Sequence, residues 1–166
     1  IAVIHAEGHP DRRIDAALLT LATAPKVAPA ALAPVARPSE TVRIVGYGAQ
    51  RKGRTLDAGG VRTRQTLTPG AIDCHGDRPG HAGCHPAFEW VVPSVDGIDT
   101  CRGDSGGGLF TLDEDGPRLA AIVSRGVLHA RRVCGDGGVY VRLSAIAPWL
   151  ADRMASIRMA ERNEER

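Results

Sequence analysis

Between Thr100 and Phe110 the chain sets Ser105 among four glycines, Gly103, Gly106, Gly107 and Gly108. Glycine admits positive φ and lets another molecule approach the backbone closely, so the stretch favours a tight turn. A serine there stands out of the turn, with its own N–H and that of Gly103 facing one point. A hydroxyl beside two convergent N–H groups suits acyl transfer, because it offers a nucleophile and a seat for the oxyanion. Asp104 requires a cation or several donors if it is buried. Cys101 before the turn and Leu109-Phe110 after it describe a braced loop that feeds a strand, not a free glycine linker.

Composition narrows the class. The chain has 166 residues, one ordinary domain or slightly more, and 43% of them are hydrophobic, enough for a core. Twenty glycines and eleven prolines with few long apolar runs favour short strands and many turns. A formal net charge of +2 is too small to argue for a nucleic-acid partner. No apolar run reaches membrane-spanning length. The chain carries no signal peptide and does not begin with Met, so it reads as a fragment or processed form. Four cysteines in a turn-rich β chain point to two disulfides and an oxidising, extracellular or periplasmic compartment; four cysteines allow three pairings.

Gly103-Asp104-Ser105-Gly106-Gly107 resembles the GDSGG signature of the chymotrypsin/trypsin-like serine proteases, with Asp99-Thr100-Cys101-Arg102 before it and Ser124-Arg125-Gly126 after. The resemblance covers nearly the whole chain and corresponds to the C-terminal two-thirds of the family domain. It implies an all-β, trypsin-like double-barrel fold: here a complete second barrel, a remnant of the first, and a C-terminal helix. It implies Ser105 as the nucleophile, and the N–H groups of Gly103 and Ser105 as the oxyanion hole. Ile14-Asp15-Ala16-Ala17-Leu18-Leu19-Thr20-Leu21 resembles the family strand whose aspartate orients the catalytic histidine, which assigns that role to Asp15. His5 and His9 lie too close before Asp15, and His75, His81, His85 and His129 follow it. The histidine is therefore expected in a missing N-terminal part of the same domain.

The same resemblance makes Asp99 the floor of the primary specificity pocket and implies hydrolysis of peptide bonds after Arg or Lys. Ser124 and Gly126 match a segment that pairs with the substrate backbone, and Arg125 stands where Trp is usual. Gly138 matches a wall of that pocket and is expected to keep it open. Cys134 is placed to pair with Cys101 across two walls. Cys74-His75, His81 and Cys84-His85 are close enough to hold zinc, but the spacing is not a common zinc pattern. A local Cys74–Cys84 disulfide is the expectation, with no metal and no cofactor. Peptide or protein substrates are the implied partners. The alternative is a non-catalytic homologue that serves as a binding module; retention of Asp15, Ser105, the glycines and Asp99 together argues against it.

In chain order, residues 1–24 read as the first-barrel remnant, with a strand near Ile1–His5 and Asp15 heading another. Residues 25–40, rich in proline, read as an extended inter-barrel linker, since Pro25, Pro29, Pro34 and Pro38 block helix and central strand. Residues 41–143 read as the second barrel, with strands near 41–45, 61–67, 87–92, 107–112, 118–123 and 138–141. Arg51, Lys52 and Arg54 read as a solvated basic turn. Residues 144–166 read as a helix, because Ile146, Leu150, Met154 and Ile157 recur at helical spacing, Ser144 can cap and Pro148 suits a first turn.

Overall fold

The computed structural model describes residues 2–33, 42–52, 55–57, 62–67, 74, 83–94, 97, 99–114, 116–128 and 130–164. β1 (Val3–Gly8) and β2 (Ala17–Leu21) form an antiparallel hairpin, with Glu7 opposite Leu18 and Gly8 opposite Ala17. The principal sheet has seven strands. Six lie in the order β7 (Arg62–Leu67), β4 (Val42–Gly46), β9 (Gly108–Asp113), β10 (Gly116–Gly126), β11 (Gly138–Arg142), β8 (Glu89–Val92). The seventh, β3 (Ala31–Leu32), pairs in parallel with Arg118 and Leu119 of β10. Among the described residues the path stays open between β7 and β8. A separate hairpin joins β5 (Gln50–Lys52) to β6 (Thr55–Asp57), and α1 (Leu143–Glu164) ends the chain.

The strands form where the sequence alternates. On β10, Ala121 and Val123 are buried, and Val42, Ile44, Leu109, Trp90, Val92 and Tyr140 meet them from neighbouring strands. Burying a side chain such as Leu109 or Val42 contributes about 1.5–3 kcal/mol relative to leaving it in water. A second cluster joins Val141, Leu143 and Ile146 to Ile14, Ala16, Trp149 and Leu150. That cluster matters for function, because it fastens the hairpin carrying Asp15 to the principal sheet and the helix. The His9 ring packs edge-on against Trp149 at 5.0 Å, and Arg153 of α1 pairs with Glu7 of β1.

Four expectations change. The proline-rich segment is not wholly unpaired, since Ala31 and Leu32 fall between Pro29 and Pro34 and find a ladder on remote β10. Arg51 and Lys52 belong to the β5–β6 hairpin rather than to a simple turn, while Arg54 lies outside the described residues. The helix begins at Leu143, so Ser144 is inside it and Pro148 sits past the first turn. Only its first half is covered: Ile146 is buried, whereas Met154 is 45% and Ile157 38% exposed. No helix among the described residues is long and apolar enough to cross a membrane.

Candidate active site

The glycine-flanked turn leaves Ser105 exposed at its crest. Gly103 has φ +94°, a conformation that a side chain would strain. The carbonyl of Arg102 accepts from the N–H of Ala49 at 2.7 Å, which ties it away from the turn. Gly106 N–H donates to the Val123 carbonyl at 2.9 Å, and Gly107 N–H to the Asp104 carbonyl at 2.8 Å. The N–H groups of Gly103 and Ser105 have no acceptor among the described residues. Two backbone donors beside an exposed hydroxyl are thus left for a ligand oxygen.

Asp104 holds this turn from below. Its carboxylate accepts from Gly48 N–H at 2.7 Å and from Cys101 N–H at 2.9 Å. It fits between Gly46 and Gly48, where an added Cβ would come within 1.9 Å and 2.4 Å of its side chain. A side chain at either position would have to displace the Asp104 carboxylate from these donors. Cys101 is bonded to Cys134, and Cys74 to Cys84, as expected. His75 and His81 lie outside the described residues, so the zinc alternative rests on no described geometry there.

Asp15 reaches the turn from the other side. The segment before it folds tightly: Asp11 N–H donates to His9 Nδ1, Arg13 N–H to Asp11 Oδ1, and Ile14 N–H to the Asp11 carbonyl. Arg13 hydrogen-bonded to Asp11 holds that carboxyl well below the usual carboxylate range. The exposed Asp15 side chain then accepts from Ser124 Oγ at 2.7 Å. Ser105 Oγ makes a long contact, 3.4 Å, to the carbonyl of the same Ser124. Ser124 therefore touches both residues that the sequence singled out. Among the described residues, no histidine hydrogen-bonds Asp15 or Ser105; His9 is held by Asp11 and Trp149, and His85 stacks on Phe88 at 4.2 Å.

A cavity of about 230 Å³ opens beside Ser105, lined among others by Asp99, Ser124, Gly126, Val133 and Gly137. Asp99 accepts from Gly135 N–H and Gly137 N–H, each at 2.7 Å. Burial raises the Asp99 pKa, and the backbone donors of Gly137, Gly135 and Asp136 hold it back. Gly126 has nothing within 4 Å of an added Cβ, as an open wall requires. Gly138 differs from expectation. It does not line the cavity, and its missing side chain makes room for the buried Thr100–Tyr140 contact, since a Cβ would lie 2.8 Å from Thr100 Oγ1. Burial pushes the Tyr140 phenol well above its ordinary range.

Sequence reasoning missed one pair. Arg125 Nη1 and Nη2 meet Glu89 Oε1 and Oε2 at 2.6 Å and 2.8 Å, and Glu89 is 1% exposed. The residues are 36 apart, and Glu89 inside an apolar strand was the available signal.

The sequence profile of the Trypsin family matches residues 1–150. Over 63 residues the chain is 42% identical to serine protease 56 of Mus musculus and 40% identical to serine protease 56 of Homo sapiens; each match covers 36% of this chain and 10% of the relative. Among solved structures the chain is similar to neuropsin, a serine protease expressed in the limbic system of mouse brain, with a TM-score of 0.69 and 22% identity. That likeness covers 93% of this chain and 71% of neuropsin, and it carries the fold.

Proposed function

The chain belongs to the trypsin family and has a trypsin-like fold, and from that premise we propose that it carries the nucleophile, the acid and the specificity pocket of a serine endopeptidase that cleaves after Arg and Lys. The observation that carries the reading is the meeting of three features at Ser124. It touches Asp15, it touches Ser105, and it lines the cavity that holds Asp99. Ser105 Oγ attacks the scissile carbonyl carbon, and the C=O electron pair moves onto oxygen, which the N–H groups of Gly103 and Ser105 hold. The hydroxyl proton passes to a histidine from outside these 166 residues, in an N-terminal part of the same domain, and then to the amine as the C–N bond breaks. Water repeats the sequence and frees the acyl chain. Asp15 fixes the orientation of that histidine. Two disulfides and the family suit an extracellular or periplasmic protein.

One observation favours a second reading, a non-catalytic binding module: no described histidine reaches Asp15 or Ser105. A single pair of assays separates them. Loss of general-base help alone lowers rates by about 10²–10⁴. The 166-residue chain should leave an Arg chromogenic peptide uncut, and the full-length parent should cut it through Ser105. Steady turnover by the chain alone, lost in Ser105→Ala, would refute the need for an outside histidine. A parent that cuts nothing supports the binding module instead, and cutting that survives Ser105→Ala removes Ser105 as the nucleophile.

A further inference from the structure

We propose that Arg125 is a positioning residue that acts on Asp15 through Ser124, clamped for that purpose by the buried Glu89. The inference takes Asp15 as the acid of the site, as proposed above, but its physical content is a link between three side chains. Arg125 Nη1 donates to Ser124 Oγ at 3.1 Å, and Ser124 Oγ is 2.7 Å from Asp15 Oδ2. A guanidinium can only donate, and a hydroxyl has one proton. Ser124 must therefore accept from Arg125 and give its proton to Asp15. The direction of the second bond is set by the first.

Arg125 is itself held still. Four of its five N–H donors are used: two on Glu89, one on Ser124 and one on the Gly83 carbonyl at 2.7 Å. Glu89 accepts in addition from His85 N–H at 2.7 Å. The hydrogen bond to Glu89 is the main reason that the Arg125 pKa is raised, and the Asp15 charge adds to it. A side chain 43% exposed on a strand would otherwise sample many rotamers; the bidentate pair removes that freedom. With its fork so occupied, Arg125 offers little to an acidic ligand from solvent. Its remaining influence is directed inward, along Glu89, Arg125, Ser124 and Asp15.

The experiment is a double-mutant cycle in thermal unfolding of the 166-residue chain, with Arg125→Met, Asp15→Asn and both, repeated in a Ser124→Ala background. If Arg125 acts on Asp15 through Ser124, the two single losses in Tm should exceed the double loss by about 1–4 °C. That excess should vanish with Ser124→Ala. A clamp that merely anchors the 83–85 loop would give additive losses, which overturns the proposal. An excess that survives Ser124→Ala overturns the relay as well. Arg125→Met strands Glu89 as a buried carboxylate, so if it fails to fold the cycle is run with Arg125→Lys, which keeps a cation beside Glu89 without the guanidinium fork. The readout needs no catalysis: a full-length parent that cuts nothing, with the excess intact in the 166-residue chain, would sink the endopeptidase reading and leave this link standing.

Discussion

At the scale of single residues, Asp99 bears the most consequence. Its carboxylate is only half-buried and already accepts two backbone N–H groups, yet burial dominates and raises its pKa. A cationic ligand needs the ionised form. Affinity for a small alkylguanidine should therefore fall as pH drops through that raised pKa, and Asp99→Asn should remove the dependence. The sign for stability is opposite. A carboxyl with a raised folded pKa contributes stability that is full below its unfolded value and is lost as pH rises through the folded one. On the endopeptidase reading proposed above, Asp99→Ser in the full-length enzyme should lower kcat/KM for Arg substrates by about two decades, the low end for breaking an ion pair, because the site is partly wet. Substrates with Phe at the same position should hardly respond. A panel of peptides differing only at that residue decides it; unchanged Arg cleavage would remove Asp99 from the pocket floor.

At the scale of elements, the placing of Asp15 depends on α1. The β1–β2 hairpin exposes Val3, Ile4 and Leu19, and its hold on the rest runs through Ile14, Ala16, His9 and Glu7 to Trp149, Leu150 and Arg153. Trp149→Ala should destabilise the chain by about 1–3 kcal/mol, less than a fully buried tryptophan, because Trp149 is only partly buried. Amide exchange should accelerate at Ala16 and along β2 while Val139 and Val141 keep their protection. Equal acceleration throughout would mean that the hairpin and the sheet unfold as one unit. The contrast between these elements also explains what the sequence makes legible. The Ser105 turn, the β9–β10 hairpin and β11 are written in adjacent residues, so glycine placement and alternation reveal them. Asp15 is singled out only by the resemblance of residues 14–21 to the family strand, since β2 itself starts two residues later at Ala17. The Glu89–Arg125 pair is not, since a lone glutamate before Trp90 says nothing about a partner 36 residues away. Helical spacing at Met154 and Ile157 promises a buried stripe, but spacing shows which residues share a face and not whether anything covers it.

At the scale of the whole molecule, the cavity is assembled from stretches distant in sequence, and the Cys101–Cys134 bond is a covalent link between them. Cys101 begins the turn that presents Asp104 and Ser105, while Cys134 sits among the residues that close the opposite wall, where Gly135 and Gly137 donate to Asp99. The bond closes a loop of 33 residues in sequence separation, against 10 for Cys74–Cys84. The chain-entropy estimate gives about 3–4 kcal/mol for the longer loop and about 2.5–3 kcal/mol for the shorter. Replacing Cys101 and Cys134 together by Ala should therefore lower Tm by about 7–14 °C. Stability alone would not distinguish the two bonds well, but ligand binding should. The Cys101 pair fixes both walls around Asp99, whereas Cys74 contacts the Glu89 carbonyl, away from the cavity. Removal of Cys101–Cys134 should weaken alkylguanidine binding at least tenfold at a temperature where the chain is still folded, while removal of Cys74–Cys84 should leave it within about twofold. Titration calorimetry on the two double variants gives the comparison. Equal affinities would mean that the walls hold their places without the disulfide, through the backbone donors to Asp99 and the Ser94–Gly135 hydrogen bond alone.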